Sequence, residues 1–289
     1  MSKIHQQIRL NDGRNLGFAE FGDLKGTPIL YFHGWPGSRL SGQDLDAIAN
    51  RYGARIISPD RPGMGLSDFK FGRQILDWPK DVTELADYLQ LRQFAVVGTS
   101  GGAPYVAACA LRIPERLTKA AIVGGLSPFN VPNVKKNLPL HLRRLSFASQ
   151  KTPWLMRFFL NRWRSLALRN PERFLDWLVT SHSKVEMALP ARPGVKENYI
   201  DCFLEANRFG TRGSTWEMGL LSRPWGFNLE EISMTIYLWH GEEDGAAPPA
   251  MGRYLANVIS NCQAKFIPGE GHTSLFLNHA EEIFSVLMS

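Results

Sequence analysis

The chain has 289 residues, 44% of them apolar and 21% charged, which suits one large globular domain or a core domain carrying an insertion. No apolar run approaches the ~20 residues that cross a bilayer, and the start, Met1–Gln7, lacks the basic-then-apolar stretch of a secretory signal, so a cytoplasmic protein without stable membrane insertion is expected. The net charge of +6 raises nucleic acid or a membrane surface as partners, but residues 126–231 hold 16 Lys+Arg against 9 Asp+Glu while the remainder holds 17 against 18, so the excess belongs to one segment.

That segment has no glycine-aromatic RNA signature and no zinc-finger spacing. A solvated basic face accounts for it more simply than a polyanion site, and no nucleic-acid partner is expected. Cys109, Cys202 and Cys262 are odd in number and far apart, giving neither a disulfide framework nor a paired metal-ligand motif. No His, Asp or Glu cluster has metal spacing and no phosphate-cradling loop precedes a helical lysine, so no metal or cofactor is expected.

Taken in chain order, Ile8–Glu20 carries Asn11, Asp12 and Gly13, a hairpin turn that predicts an antiparallel opening to a sheet. Short β-branched and aromatic runs then read as buried strands at 28–32, 54–58, 94–97, 119–123, 235–239 and 264–267. Helical patterns separate most of them, at 77–91, 104–111, 248–259 and 279–288. Strand–helix alternation of this kind predicts an α/β fold, a mostly parallel sheet flanked by helices on both faces. The alternation breaks between about 127 and 231, where helical stretches such as 154–168 and 171–180 dominate. The expected organisation is a core of residues 1–126 and 232–289 with a helical cap, 127–231, inserted between two strands.

The most informative stretch runs Gly-Thr-Ser-Gly-Gly from Gly98 to Gly102, between a buried strand and an alanine-rich helix. That context is what a nucleophile elbow requires: a tight turn lifts the Ser100 hydroxyl above the sheet edge, at a helix N-terminus whose amides favour a developing oxyanion. A serine hydroxyl needs a base, and the base an orienting carboxylate. His272 follows the last strand and precedes the last helix, where parallel sheets collect catalytic groups. His33 and His240 each precede a glycine at a strand end and read as backbone positions. His5, His141, His182 and His279 are explained by solvent or packing. The acid should lie between serine and histidine in chain order, and the loop after the 235–239 strand supplies Glu242, Glu243 and Asp244. Asp244 is the choice, with Gly245 after it; Glu243 is the fallback. The glycine-rich loop from His33 to Ser38 can supply a second oxyanion donor, so the hole is assigned to the amides of Trp35 and Gly101.

These residues resemble the α/β-hydrolase superfamily, and its cap-bearing group of esterases, epoxide hydrolases and proline iminopeptidases. The resemblance rests on His33–Gly37, on Asp60–Ser67 (Asp-Arg-Pro-Gly-Met-Gly-Leu-Ser), on Gly98–Gly102, on His240–Asp244, and on Gly271 with His272. It implies the α/β-hydrolase fold, a Ser100–Asp244–His272 triad, and a pocket-framing role for the Asp60–Ser67 loop.

Serine at position 100 argues against epoxide hydrolysis and dehalogenation, which in this family use a carboxylate nucleophile. Hydrolysis of carboxylic esters with small or medium hydrophobic acyl groups is the expected reaction. A proline-iminopeptidase-like enzyme is the alternative; it needs cap carboxylates, for which Glu205 and Glu217 are available, but the elbow lacks the Trp that follows serine in many such peptidases. Lactone and carbon–carbon bond hydrolysis stay open, as does a non-catalytic ligand-binding member of the fold. Trp35, Phe158, Phe159, Trp163 and Trp225 are the expected hydrophobic walls of the substrate site. The 154–164 stretch, basic and aromatic, suits either a membrane surface or a lid over an acyl pocket, and the lid is favoured. A small-molecule ester is the expected partner, in a monomer or homodimer.

Overall fold

The computed structural model describes residues 3–180 and 194–289, without the side chains of residues 176–180. Eight strands form one sheet: β1 (Lys3–Arg9), β2 (Asn15–Gly22), β3 (Thr27–Phe32), β4 (Ala54–Pro59), β5 (Phe94–Thr99), β6 (Leu117–Val123), β7 (Ile236–Gly241) and β8 (Cys262–Ile267). Their order across the sheet is β1-β2-β4-β3-β5-β6-β7-β8, antiparallel at β1/β2 and β2/β4 and parallel elsewhere. The opening hairpin closes at the expected turn. Leu10 N–H donates to Arg14 O at 2.8 Å, and Gly13 takes a φ of +85° that glycine adopts without a Cβ clash.

The strands alternate between two cores, because successive side chains point to opposite faces. Leu30, Phe32, Val96, Ala120 and Ile122 belong to one apolar cluster; Ile29, Tyr31, Val97, Ala121 and Val123 belong to the other. Helices α1 (Asp46–Tyr52), α2 (Trp78–Tyr88) and α3 (Ala103–Arg112) connect β3, β4, β5 and β6 in turn. Their apolar stripes, such as Val82, Leu85 and Ala86 on α2, close over the sheet. From β3 the chain crosses to β4 on one side, whereas β5 pairs on the other. The β3 and β5 carboxyl ends therefore flank a topological switch point, where sheets of this class open a crevice.

Among the described residues, six α-helices lie between β6 and β7: α4 (Pro132–Asn137), α5 (Leu140–Lys151), α6 (Pro153–Arg169), α7 (Pro171–Thr180), α8 (Val195–Ala206) and α9 (Arg212–Leu221). Helices α10 (Pro249–Val258) and α11 (His272–Leu287) complete the chain. The last helix starts seven residues earlier than the apolar periodicity of 279–288 suggests. Gly271 N–H donates to Ser274 Oγ at 2.8 Å, a side-chain bond that caps the helix and draws His272 into its first turn. Cys109 and Cys202 are buried and Cys262 half-buried, all as free thiols. His182 lies outside the described residues.

Candidate active site

The β5 strand runs into a tight turn at Ser100–Gly102 before α3 begins. Two glycines make that turn possible. A Cβ on Gly98 would sit 2.7 Å from Gly102 O, and one on Gly102 would overlap Phe32 O. Ser100 itself takes a φ of +52°, a left-handed conformation that costs an L-residue roughly 1–2 kcal/mol. Non-glycine strain of this kind persists only where the surrounding packing enforces it.

Asp244 lies in the loop after β7, and its carboxylate is almost fully engaged. Oδ1 accepts from Ala246 N–H at 2.9 Å and Ala247 N–H at 2.7 Å, while Oδ2 lies 2.7 Å from His272 Nδ1. Burial pushes the carboxyl up, but the His272 charge and hydrogen bond outweigh that and hold it below the ordinary carboxylate value. His240 Nε2 lies 3.8 Å from the same Oδ2 and 2.7 Å from Ala247 O; burial holds this imidazole below its usual value. It packs beneath the Asp244 loop as a buried support.

The loop after β3 abuts the serine. A Cβ on Gly34 would lie 3.3 Å from Ser100 Cβ, and one on Gly101 would lie 3.3 Å from Trp35 N, so the backbones of Trp35 and Gly101 meet beside Ser100. This loop is held from below by Arg61, fully buried, whose Nη1 donates to His33 O at 2.6 Å and Nη2 to Gly34 O at 3.1 Å. Arg61 Nε in turn donates to Glu217 Oε1 at 2.6 Å. Glu217 also accepts from Arg73, and from Tyr105 OH at 2.9 Å. Burial opposes the Glu217 charge, but Arg61 and Arg73 overcome it and hold the carboxyl below its usual range. From α9 a second tie reaches the loop, since Trp35 Nε1 donates to Ser214 O at 2.8 Å. His33 is buried, and desolvation with Arg61 nearby holds its imidazole well below the ordinary value.

Ser100, His272, Gly34 and Trp35 line a cavity of about 1140 Å³. Its other walls come from both parts of the chain: Val123 and Phe276 from the core, Leu142, Phe159 and Trp163 from α5 and α6, and Phe203 from α8. Among the expected substrate contacts, Trp35, Phe159 and Trp163 are brought together here. Phe158 is not, because it points outward from α6 and is 54% exposed. Trp225 is not either: it is buried and packs into the wall of a separate pocket with Phe227 and Leu229. Adjacent aromatics on a helix face about 100° apart, and here that turn sends Phe158 outward while Phe159 borders the cavity.

Glu205 and Glu217, the cap carboxylates considered for holding an amine, do not line this cavity. Glu217 is consumed by the two arginines, and Glu205 pairs with Arg39 at 2.6 Å and Arg208 at 3.0 Å. Among the described residues, the acidic side chain that lines it is Asp44, in the turn Arg39–Leu45 after β3. Asp44 is exposed at the cavity, but the protein around it strips part of its hydration and, only partly offset by a hydrogen bond from Asn198, pushes its carboxyl up to about 6. Asp44 belongs to no motif; Arg61 lies in the Asp60–Ser67 loop expected to frame the pocket, but its tie to Glu217 carries no signal in the sequence. His141, read as solvated or packed, lies on the cavity wall. Among the described residues no group of three or more His, Cys, Asp or Glu is placed to hold a metal ion, and no helix is long and apolar enough to cross a membrane.

Residues 27–279 match the family model described as the alpha/beta hydrolase fold. A non-heme haloperoxidase of Rhodococcus erythropolis is 23% identical, over 98% of this chain and 97% of its own. A non-heme chloroperoxidase of Streptomyces lividans is 33% identical over 129 residues, which span 43% of this chain and 46% of that protein. Among solved structures, an esterase from a Rhodococcus species superposes with a TM-score of 0.69 at 19% identity, covering 98% of this chain and 99% of its own. The chain belongs to the alpha/beta hydrolase family.

Proposed function

We propose that this hydrolase is a serine carboxylesterase acting through an acyl-enzyme on Ser100. The observation that carries the reading is the 2.7 Å contact between Asp244 Oδ2 and His272 Nδ1, on the same cavity as a serine held at positive φ. With Nδ1 committed to Asp244, Nε2 of His272 is the ring nitrogen that takes the Ser100 proton as Oγ attacks the ester carbonyl. The amides of Trp35 and Gly101 receive the developing oxyanion. His272 then returns the proton to the leaving alcohol, and water attacking the acyl-enzyme releases the acid and restores Ser100. Helices α4–α9, within residues 127–231, serve as the cap. Phe159 and Trp163 give the acyl chain an apolar wall, which suits small or medium hydrophobic acyl groups.

An aminopeptidase is disfavoured because Glu205 and Glu217 are engaged by arginines away from the cavity. The test is turnover of p-nitrophenyl acetate and butyrate beside proline p-nitroanilide. Ester cleavage without amide cleavage is expected. Release from the proline amide alone would replace the esterase reading with the peptidase one.

A further inference from the structure

Helices α5 and α6 form the outer wall of the cavity, and their solvent faces are not those of an ordinary surface. On α5, Leu140, Arg144, Phe147 and Lys151 recur at spacings of four, three and four, hence on one side of the helix, and all four are exposed. Leu140 is 61% and Phe147 64% exposed. On α6, Trp154, Phe158, Arg162, Ser165 and Arg169 form the corresponding stripe, with Trp154 69% and Phe158 54% exposed. The opposite side of α6 is satisfied by packing, with Met156, Leu160 and Ala167 buried. The outward aromatics therefore lie outside the core and add nothing to it.

The charge on this face has one sign. Between Glu115 and Glu172 the chain has no acidic residue, and residues 132–169 alone carry nine Lys+Arg. An ordinary solvated helix mixes both signs, whereas these two carry cations and large apolar groups side by side. That pairing matches the headgroup region of an anionic membrane, where aromatic rings sit at the interface and lysine and arginine meet lipid phosphates. A second copy of the chain fits poorly, because a two-fold contact would set this many cations against one another. A nucleic acid would answer the charge and stack on the rings, but leave Leu140 and Leu168, 61% and 57% exposed, without a partner.

We propose that the outer face of α5 and α6 is a docking surface for an anionic lipid bilayer. Leu140, Arg144, Phe147 and Phe159 both border the cavity and reach this exterior, so docking sets the cavity mouth against the lipid. Binding does not depend on the reaction; only the consequence, that the ester acted on is lipid-borne, rests on the esterase reading.

The experiment is co-sedimentation of the full chain carrying Ser100→Ala with vesicles of phosphatidylcholine, alone or mixed with phosphatidylglycerol. Binding to the mixed vesicles only, weakening as salt rises, is expected. Trp154→Ser with Phe158→Ser should lower the partition coefficient at least about tenfold by removing buried aromatic area. Arg162→Gln with Arg169→Gln should lower it by a similar factor, at about 1 kcal/mol per surface cation. Neither pair lines the cavity, so turnover of soluble p-nitrophenyl butyrate by the same variants with Ser100 intact should not change, which also checks their folding. Failure to bind mixed vesicles at low salt would overturn the proposal. So would binding that the aromatic pair leaves intact while a single-stranded oligonucleotide displaces it, which would mark a polyanion patch. Loss of soluble-ester activity in wild type would sink the esterase reading alone.

Discussion

Glu217 Oε1, carried on α9 between β6 and β7, lies 2.6 Å from Arg61 Nε, and the same guanidinium holds the carbonyls of His33 and Gly34 directly before Trp35. One buried carboxylate thus joins the inserted helices to the loop assigned to the oxyanion. Replacing it leaves Arg61 and Arg73 as buried guanidiniums without their counterion, a change that costs about 3–5 kcal/mol. Glu217→Leu should lower the urea midpoint accordingly and reduce ester kcat more than KM, because the Trp35 amide loses its support. The folded-state carboxyl is held below its ordinary value, so this stabilisation is present above the unfolded pKa of ~4.3 and fades as pH falls below it. The wild-type advantage should shrink in urea titrations at acid pH; a constant gap would mean the charge contributes little.

Asp44 predicts the opposite trend. Its carboxyl, exposed at the cavity yet partly desolvated by the protein around it, is raised to about 6, above the unfolded ~3.9, so ionisation opposes folding once pH exceeds the unfolded value. Asp44→Asn should melt higher than wild type at pH 8, and the difference should close as pH drops through 6 and vanish near 4. A variant that melts lower at pH 8 would show that the carboxylate has a compensating partner there.

The left-handed backbone of Ser100 gives a third expectation. Ser100→Ala keeps the φ of +52° with a Cβ, whereas Ser100→Gly releases it. Chemical denaturation should find the glycine variant more stable than the alanine one by about 1 kcal/mol, both being inactive. Equal stabilities would show that the turn relaxes in the absence of the hydroxyl.

Cavity position separates the aromatics by effect. Phe159→Ala and Trp163→Ala should change the ratio of kcat/KM for p-nitrophenyl hexanoate over acetate on the order of tenfold, since each methylene in an apolar pocket is worth ~1–3 kcal/mol. Trp225→Phe, on the separate pocket, should leave that ratio within about twofold. Chain-length profiles across the four proteins decide it, and a shifted profile for Trp225→Phe would contradict the wall drawn here.

Much of this architecture is legible in the residues alone. All six β-branched runs are strands, with every boundary within two residues of the expected one, because buried parallel strands are apolar throughout and bounded by turns. Gly98, Ser100, Asp244 and His272 fall at strand ends, where spacing and chain order suffice to pick them out. Harder to read are contacts made across long separations. Glu217 and Arg61 are 156 positions apart, and a glutamate on a helix reads as solvated until its burial is known. Asp44 sits in a short turn and belongs to no motif. Phe158 and Phe159 look equivalent in sequence, and only the helix orientation divides solvent from cavity.

Covalent chemistry at Ser100 is read out by intact-protein mass spectrometry after quenching a p-nitrophenyl butyrate reaction in acid. A butyryl adduct should map to the peptide containing Ser100 and be absent from Ser100→Ala. In His272→Ala it should accumulate far more slowly, because the proton has no acceptor. Ester turnover that persists in Ser100→Ala, or an adduct on another residue, would contradict covalent chemistry at Ser100.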